Sequence, residues 1–135
     1  MYTLQKGLSL IELLLVVSVV GILAGIAYPS YSEQVRKAAR TEIAGLLFES
    51  AQLLERHYSR SGQYADSEAL VTPLAPGTEH YRLQAVRHST SFILTAQRIA
   101  GGLMSSDRCA DFELDQAGMR RNPGAVDGGR GCWGG

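Results

Sequence analysis

Two cysteines and three histidines are the residues of this 135-residue chain best suited to covalent or metal chemistry. Cys109 and Cys132 stand 23 positions apart. That spacing is open to a disulfide, or to a thiolate nucleophile activated by His57, His80 or His88. Nothing in the spacing of the histidines asks for the second. Histidines, cysteines and carboxylates do not fall at metal-ligand intervals, and no glycine-rich phosphate loop follows a strand-like run. The sequence therefore carries no enzyme signature and points to no metal and no cofactor. Seven basic residues, Arg82, Arg87, His88, Arg98, Arg120, Arg121 and Arg130, could contact phosphates. Thirteen Lys plus Arg are balanced by thirteen Asp plus Glu, however, so DNA binding requires those cations to converge on one face. On this balance nucleic acid is not expected as a partner. The remaining oddity is Glu12, a carboxylate inside an apolar run, where insertion scales charge about 2.5 to 3.5 kcal/mol.

The element that holds Glu12 is the stretch from Leu8 to Tyr28, in which it is the single charged residue. As a helix, 21 residues rise roughly 31 Å, enough to cross a hydrocarbon layer of about 30 Å once. A cleaved secretory signal has a shorter apolar core than this run. Lys6 is the only cation ahead of the run, while Arg36, Lys37 and Arg40 follow it, so charge alone leaves the orientation open. Gly21 and Gly25 form a GxxxG spacing that lets helices approach closely. Pro29 removes a backbone donor, which predicts a kink or a locally extended stretch from Gly25 to Pro29.

Beyond Pro29 a helical period returns. Val35, Ala39, Ile43, Leu46, Leu47, Leu54 and Tyr58 form one stripe, with Arg36, Lys37, Arg40, Glu49, Glu55 and Arg56 off it. Arg36, Lys37 and Arg40 read as a solvated face. With Gly62 as a stop, the helix is expected from Leu8 to about Tyr58, and a loop from Gln63 to Glu79. Tyr81, Leu83 and Ala85 then alternate with polar neighbours, as do Phe92, Leu94 and Ala96. The short HSTS link between the two runs predicts an antiparallel hairpin. A third run, Ala110 to Leu114, a turn at Asp115 to Gly118, and a short run from Met119 to Arg121 complete four strands. The glycine-rich tail after Gly118 is expected to be ordered only where it is anchored.

Lys6, Gly7, Leu8, Ser9, Leu10, Ile11 and Glu12 together resemble the class III signal of type IV pilins and pseudopilins. That signal is a short basic leader ending in Gly, then an apolar residue, with Glu five places after the Gly. Leu8 departs from the family, which mostly has Phe there. The run ILAGIAYPSY, with Pro29 and Tyr31, is also like theirs. The resemblance implies cleavage between Gly7 and Leu8 by a prepilin peptidase and N-methylation of Leu8. It further implies that Glu12 meets the N-terminal amine of a neighbouring subunit, with Gly21, Gly25 and Pro29 in the assembly helix. The domains are then a leader over 1–7, a transmembrane and assembly helix over 8–28, and a head domain over 29–135.

The second half adds to this: the C-x-x-F-x-L-D-x-x-G run from Cys109 to Gly118 and the terminal Cys132-Trp133 look like minor pilins of the PilE type. In these a disulfide bounds the C-terminal region, so a Cys109–Cys132 bridge outside the inner membrane is implied, contributing about 3 kcal/mol on the chain-entropy model. The expected fold is α+β, one long helix packed on a four-stranded antiparallel sheet. The expected role is a minor pilin, a structural or initiating subunit of a type IV pilus serving adhesion and twitching motility. It would sit in the inner membrane with a periplasmic head until incorporated in the fibre. Its implied partners are other pilin subunits, the prepilin peptidase and the inner-membrane assembly machinery. A type II secretion pseudopilin and a pilin-type DNA-uptake receptor are the alternatives.

Overall fold

The computed structural model describes residues 7–134, so Lys6 lies outside the described residues. The chain forms two compact units, one running to Val35 and one beginning at Arg36. A single helix, α1 (Leu10–Ser61), contributes to both. Its start is set by Ser9, whose hydroxyl accepts the Glu12 backbone N–H at 3.2 Å while its carbonyl accepts that of Leu13 at 3.1 Å. Ser9-Leu10-Ile11-Glu12 is thus a capping-box sequence. The end is set by Gly62, whose backbone adopts φ +76° and whose N–H donates to the Tyr58 carbonyl at 2.7 Å, an arrangement that favours glycine. The helix thus starts two residues later than expected, at the Ser9 cap, and runs three residues further than expected, up to the Gly62 stop that the sequence marks. The helix also continues through Pro29, so the locally extended stretch expected there does not occur. Proline's φ is helical, and the loss is confined to the donor that the Gly25 carbonyl would have received.

In the second unit the sheet has the order β1 (Tyr81–Arg87), β2 (Phe92–Arg98), β3 (Phe112–Asp115), β4 (Arg120–Arg121), all antiparallel. The hairpin register pairs Leu83 with Ala96 and Arg87 with Phe92, and Leu94 pairs onward with Leu114. Period two therefore sends Tyr81, Leu83, Phe92, Leu94, Ala96, Phe112 and Leu114 to one face, all buried. Ile43, Leu47 and Leu54 of α1 complete the same core, and Phe48 and Trp133 pack against it. The β3–β4 turn is fixed by Asp115, whose Oδ1 accepts the N–H groups of Ala117 and Met119 at 3.0 Å each.

The helix face differs from the expected stripe at Arg40, Ala44, Ser50 and His57, which are buried off it, and at Tyr58, which is exposed on it. Arg40 is buried rather than solvated, at 6% exposure, because Asp107 meets it from the β2–β3 connection. His57 is buried, whereas Tyr58, placed on the stripe by periodicity, is 39% exposed. Ala85, on the edge strand β1, is exposed too, although its cross-strand partner Leu94 is fully buried.

Candidate functional site

The first unit offers a surface with no internal partner. Its apolar window has none of its residues buried, and the Leu, Ile and Val side chains along it range from 47% exposure at Val19 to 84% at Leu10. Gly7 and Leu8 precede the helix and are not helical, so the Gly7–Leu8 peptide bond lies outside α1. Glu12 lies in the first turn, at the positive end of the helix dipole. A Cβ added at Gly21 or Gly25 would meet nothing within 4 Å, which leaves that face open to close approach by another helix. Ser18, the polar residue between them and Glu12, donates its hydroxyl to the Leu14 carbonyl at 2.8 Å. Such a helix can enter a bilayer or pack among other helices, because its backbone is satisfied internally and its surface is apolar.

The second unit is fastened around its C-terminal tail. Cys109 and Cys132 form a disulfide with Cα atoms 5.8 Å apart. Beside it, the Asn122 side-chain amide donates to the carbonyls of Cys109 at 3.1 Å and Asp111 at 3.2 Å, and its oxygen accepts the Trp133 indole N–H at 2.7 Å. The Trp133 ring stands edge-on to Phe48 and Phe112, with centroids 5.8 and 5.1 Å away. Sequence reasoning missed Asn122 and Trp133 as anchors. The signal that could have found Trp133 is a large aromatic next to a bridged cysteine in a glycine-rich tail.

A second fastening joins α1 to the β2–β3 connection. The Arg40 guanidinium donates twice to Asp107, at 2.9 Å to Oδ2 and 2.6 Å to Oδ1, and the Cys109 N–H adds a third bond at 3.2 Å. Burial opposes ionisation of Asp107. The Arg40 hydrogen bonds, the Cys109 N–H and the Arg40 charge outweigh it and hold the carboxyl below the usual carboxylate range. Burial, with the Asp107 charge adding to it, pushes the Tyr81 phenol well above its ordinary value.

Several of the basic residues in the sequence inventory are engaged within the unit. Arg87 pairs with Asp66 at 2.9 Å, Arg98 with Asp111 at 3.0 Å, and Arg121 with Glu113 at 3.3 Å and Asp115 at 3.2 Å. Arg120 lies over the Phe48 ring, 5.0 Å from its centroid. Of the seven, only Arg82, His88 and Arg130 have no acidic partner or ring contact among the described residues. The histidines are not gathered near the disulfide either: buried His57 bonds the Ala65 carbonyl through Nε2 at 2.9 Å and Thr72 Oγ1 through Nδ1 at 2.8 Å. It thereby ties the loop after α1 to the helix.

Known proteins share both halves of this arrangement. Residues 3–28 match the prokaryotic N-terminal methylation motif, and residues 29–113 match the family described as "Type IV minor pilin ComP, DNA uptake sequence receptor". A type IV major pilin protein PilE1 of Neisseria gonorrhoeae is 32% identical over 79 residues, covering 58% of this chain and 48% of the relative. A type IV major alpha-pilin of Moraxella bovis is 46% identical over 43 residues, covering 32% of this chain and 27% of the relative. The chain thus spans about half or less of the length of these curated relatives. A solved type IV pilin from Shewanella oneidensis is 31% identical, with 68% of this chain and 94% of that chain covered and a TM-score of 0.49.

Proposed function

The chain belongs to the type IV minor pilin family of ComP, and from that membership we propose that it is a subunit of a type IV pilus, anchored in the inner membrane by its N-terminal helix until it is built into the fibre. The observation that carries this reading is the wholly exposed apolar surface of residues 10–28, in a chain whose other unit buries a complete core of its own. A surface of that size in water is unfavourable by roughly 25 cal/mol per Å², so the helix needs lipid or other helices around it. In this reading Gly7–Leu8 is the scissile bond, Leu8 is methylated, and the prepilin peptidase and the assembly machinery are the transient partners. Residues 1–7 are the leader, 8–28 the membrane and assembly segment, and 29–135 the head. Glu12 meets the Leu8 amine of a neighbour, and the open faces of Gly21 and Gly25 admit adjacent helices.

The test is Gly7→Val in cells that make pili. A peptidase fitted to a residue without a side chain before the apolar run will not accept a branched one, so the variant is expected to stay unprocessed in the inner membrane. Removal of the leader at the parent's rate would overturn the processing site.

A second reading, a DNA-uptake receptor within the pilus, is favoured by the description of the matched family. It brings DNA back as a partner that the balanced charge of the chain argues against. Twitching motility and adhesion would then be properties of the fibre, with recognition of a polyanion assigned to this subunit's head.

A further inference from the structure

We propose that Arg56 and Arg60, at the C-terminal end of α1, form a phosphate-binding pocket that takes a backbone phosphodiester of double-stranded DNA; the choice of DNA rests on the receptor reading above. A pocket of about 170 Å³ opens between this turn of the helix and the loop that follows it, lined by Leu53, Arg56, His57, Arg60, Leu70 and Thr72. Arg56 and Arg60 are four residues apart, so their side chains rise from one helix face. Both are exposed, and neither has an acidic partner among the described residues, in contrast to Arg40, Arg87, Arg98, Arg108 and Arg121.

Two like charges at this spacing repel each other, and an anion held between them turns that repulsion into two attractions. The floor of the pocket is already fixed. His57 Nε2 donates to the Ala65 carbonyl, which can only accept, so Nδ1 accepts the Thr72 hydroxyl hydrogen. The Thr72 N–H is likewise engaged, by Asp66 Oδ1 at 2.9 Å. The floor is rigid and offers no hydrogen-bond donor, which leaves the two guanidinium groups as the anion's partners. Leu53 and Leu70 supply apolar walls that lower the local dielectric around the contact. The pocket lies in the unit that begins at Arg36, after the apolar span has ended, and this favours a soluble polyanion over a lipid headgroup. Of the seven basic residues that the sequence offers to DNA, Arg87, Arg98 and Arg121 are neutralised by acids; among the described residues Arg56, read from the sequence as a charge off the core stripe, and Arg60 are not.

The experiment compares the full chain with its Arg56→Gln/Arg60→Gln variant, both in neutral detergent micelles, by fluorescence anisotropy of a labelled 12-base-pair duplex over a range of salt. The expected result is an affinity about tenfold weaker for the variant and a log–log salt slope shallower by about 1, the signature of a lost phosphate contact. Equal affinity and slope would overturn the pocket while leaving the receptor reading intact. If the parent does not bind the duplex at all, the receptor reading fails and inorganic phosphate decides the pocket. Saturable shifts of the Arg60 and Thr72 amide signals that vanish in the variant uphold a phosphate site, and no shifts overturn it. Displacement of the duplex by micelles doped with phosphatidylglycerol, at the same two arginines, would overturn the DNA assignment in favour of a headgroup.

Discussion

Glu12 and Asp107 are two carboxylates whose surroundings give them opposite roles. Glu12 sits in the first turn of an exposed apolar helix with a serine cap beneath it, and its side chain faces outward. Alone in lipid it costs about 2.5 to 3.5 kcal/mol, so Glu12→Val should insert and be processed at least as well as the parent. In the fibre contact proposed above, the same change would remove a charge-assisted bond of roughly 1.5 to 3 kcal/mol to a neighbour's amine and leave that amine buried. The membrane pool should rise as the sheared-fibre pool falls; an unchanged ratio of the two fractions would reduce Glu12 to a tolerated interfacial carboxylate. Asp107, by contrast, is internal, and Asp107→Asn leaves Arg40 charged in the core. The expected loss is about 3 kcal/mol in urea unfolding, largely recovered when Arg40 is also made apolar. The sign of its pH dependence follows from its lowered pKa. The pair's contribution is complete above the unfolded-state value near 4 and is lost as pH falls through the lower folded value, so the parent weakens in acid more steeply than the variant.

At the scale of elements the disulfide and the tail are one device. The bridge at Cys109–Cys132 closes a loop that also holds Asn122, and Trp133 carries the chain end onto Phe48 and Phe112. Replacing both cysteines by serine should cost about 3 kcal/mol of stability, and alkylation of the folded parent without reductant should label neither thiol. Labelling of both would contradict the bridge. β1 and β2 were legible in the sequence almost to the residue because each alternates strictly and the HSTS link closes their hairpin, whereas β3 begins two residues later than expected, at Phe112, because Ala110 adopts φ +54°, and it takes in Asp115, which was expected in the turn. The helix was legible in kind, and Gly62 marked its stop in the sequence; its start was set by the Ser9 cap, which periodicity does not weigh. Arg40 was misread for a different reason. A charged residue on a helix is solvated unless a partner reaches it, and Asp107 stands 67 positions away, where no local pattern points to it. The same blindness to tertiary partners made seven cations look available when Arg87, Arg98 and Arg121 are held by acids.

At the scale of the molecule, one unit buries its apolar residues among themselves and the other buries none. A surface so divided needs company, which the proposed function supplies as lipid before assembly and the helices of other subunits after it. The second unit has its own helix-on-sheet core, buried ion pair and bridged tail, so the proposed passage from membrane to fibre requires no refolding of it. Everything in that sequence of states depends on which residue begins the mature helix. The direct test is the intact mass of this subunit recovered from sheared pili. The account predicts a chain that starts at Leu8, carries one methyl group on its amine and retains the Cys109–Cys132 bridge. A chain in the fibre that still bears residues 1–7, or its absence from fibres while the processed form accumulates in the membrane, would contradict it.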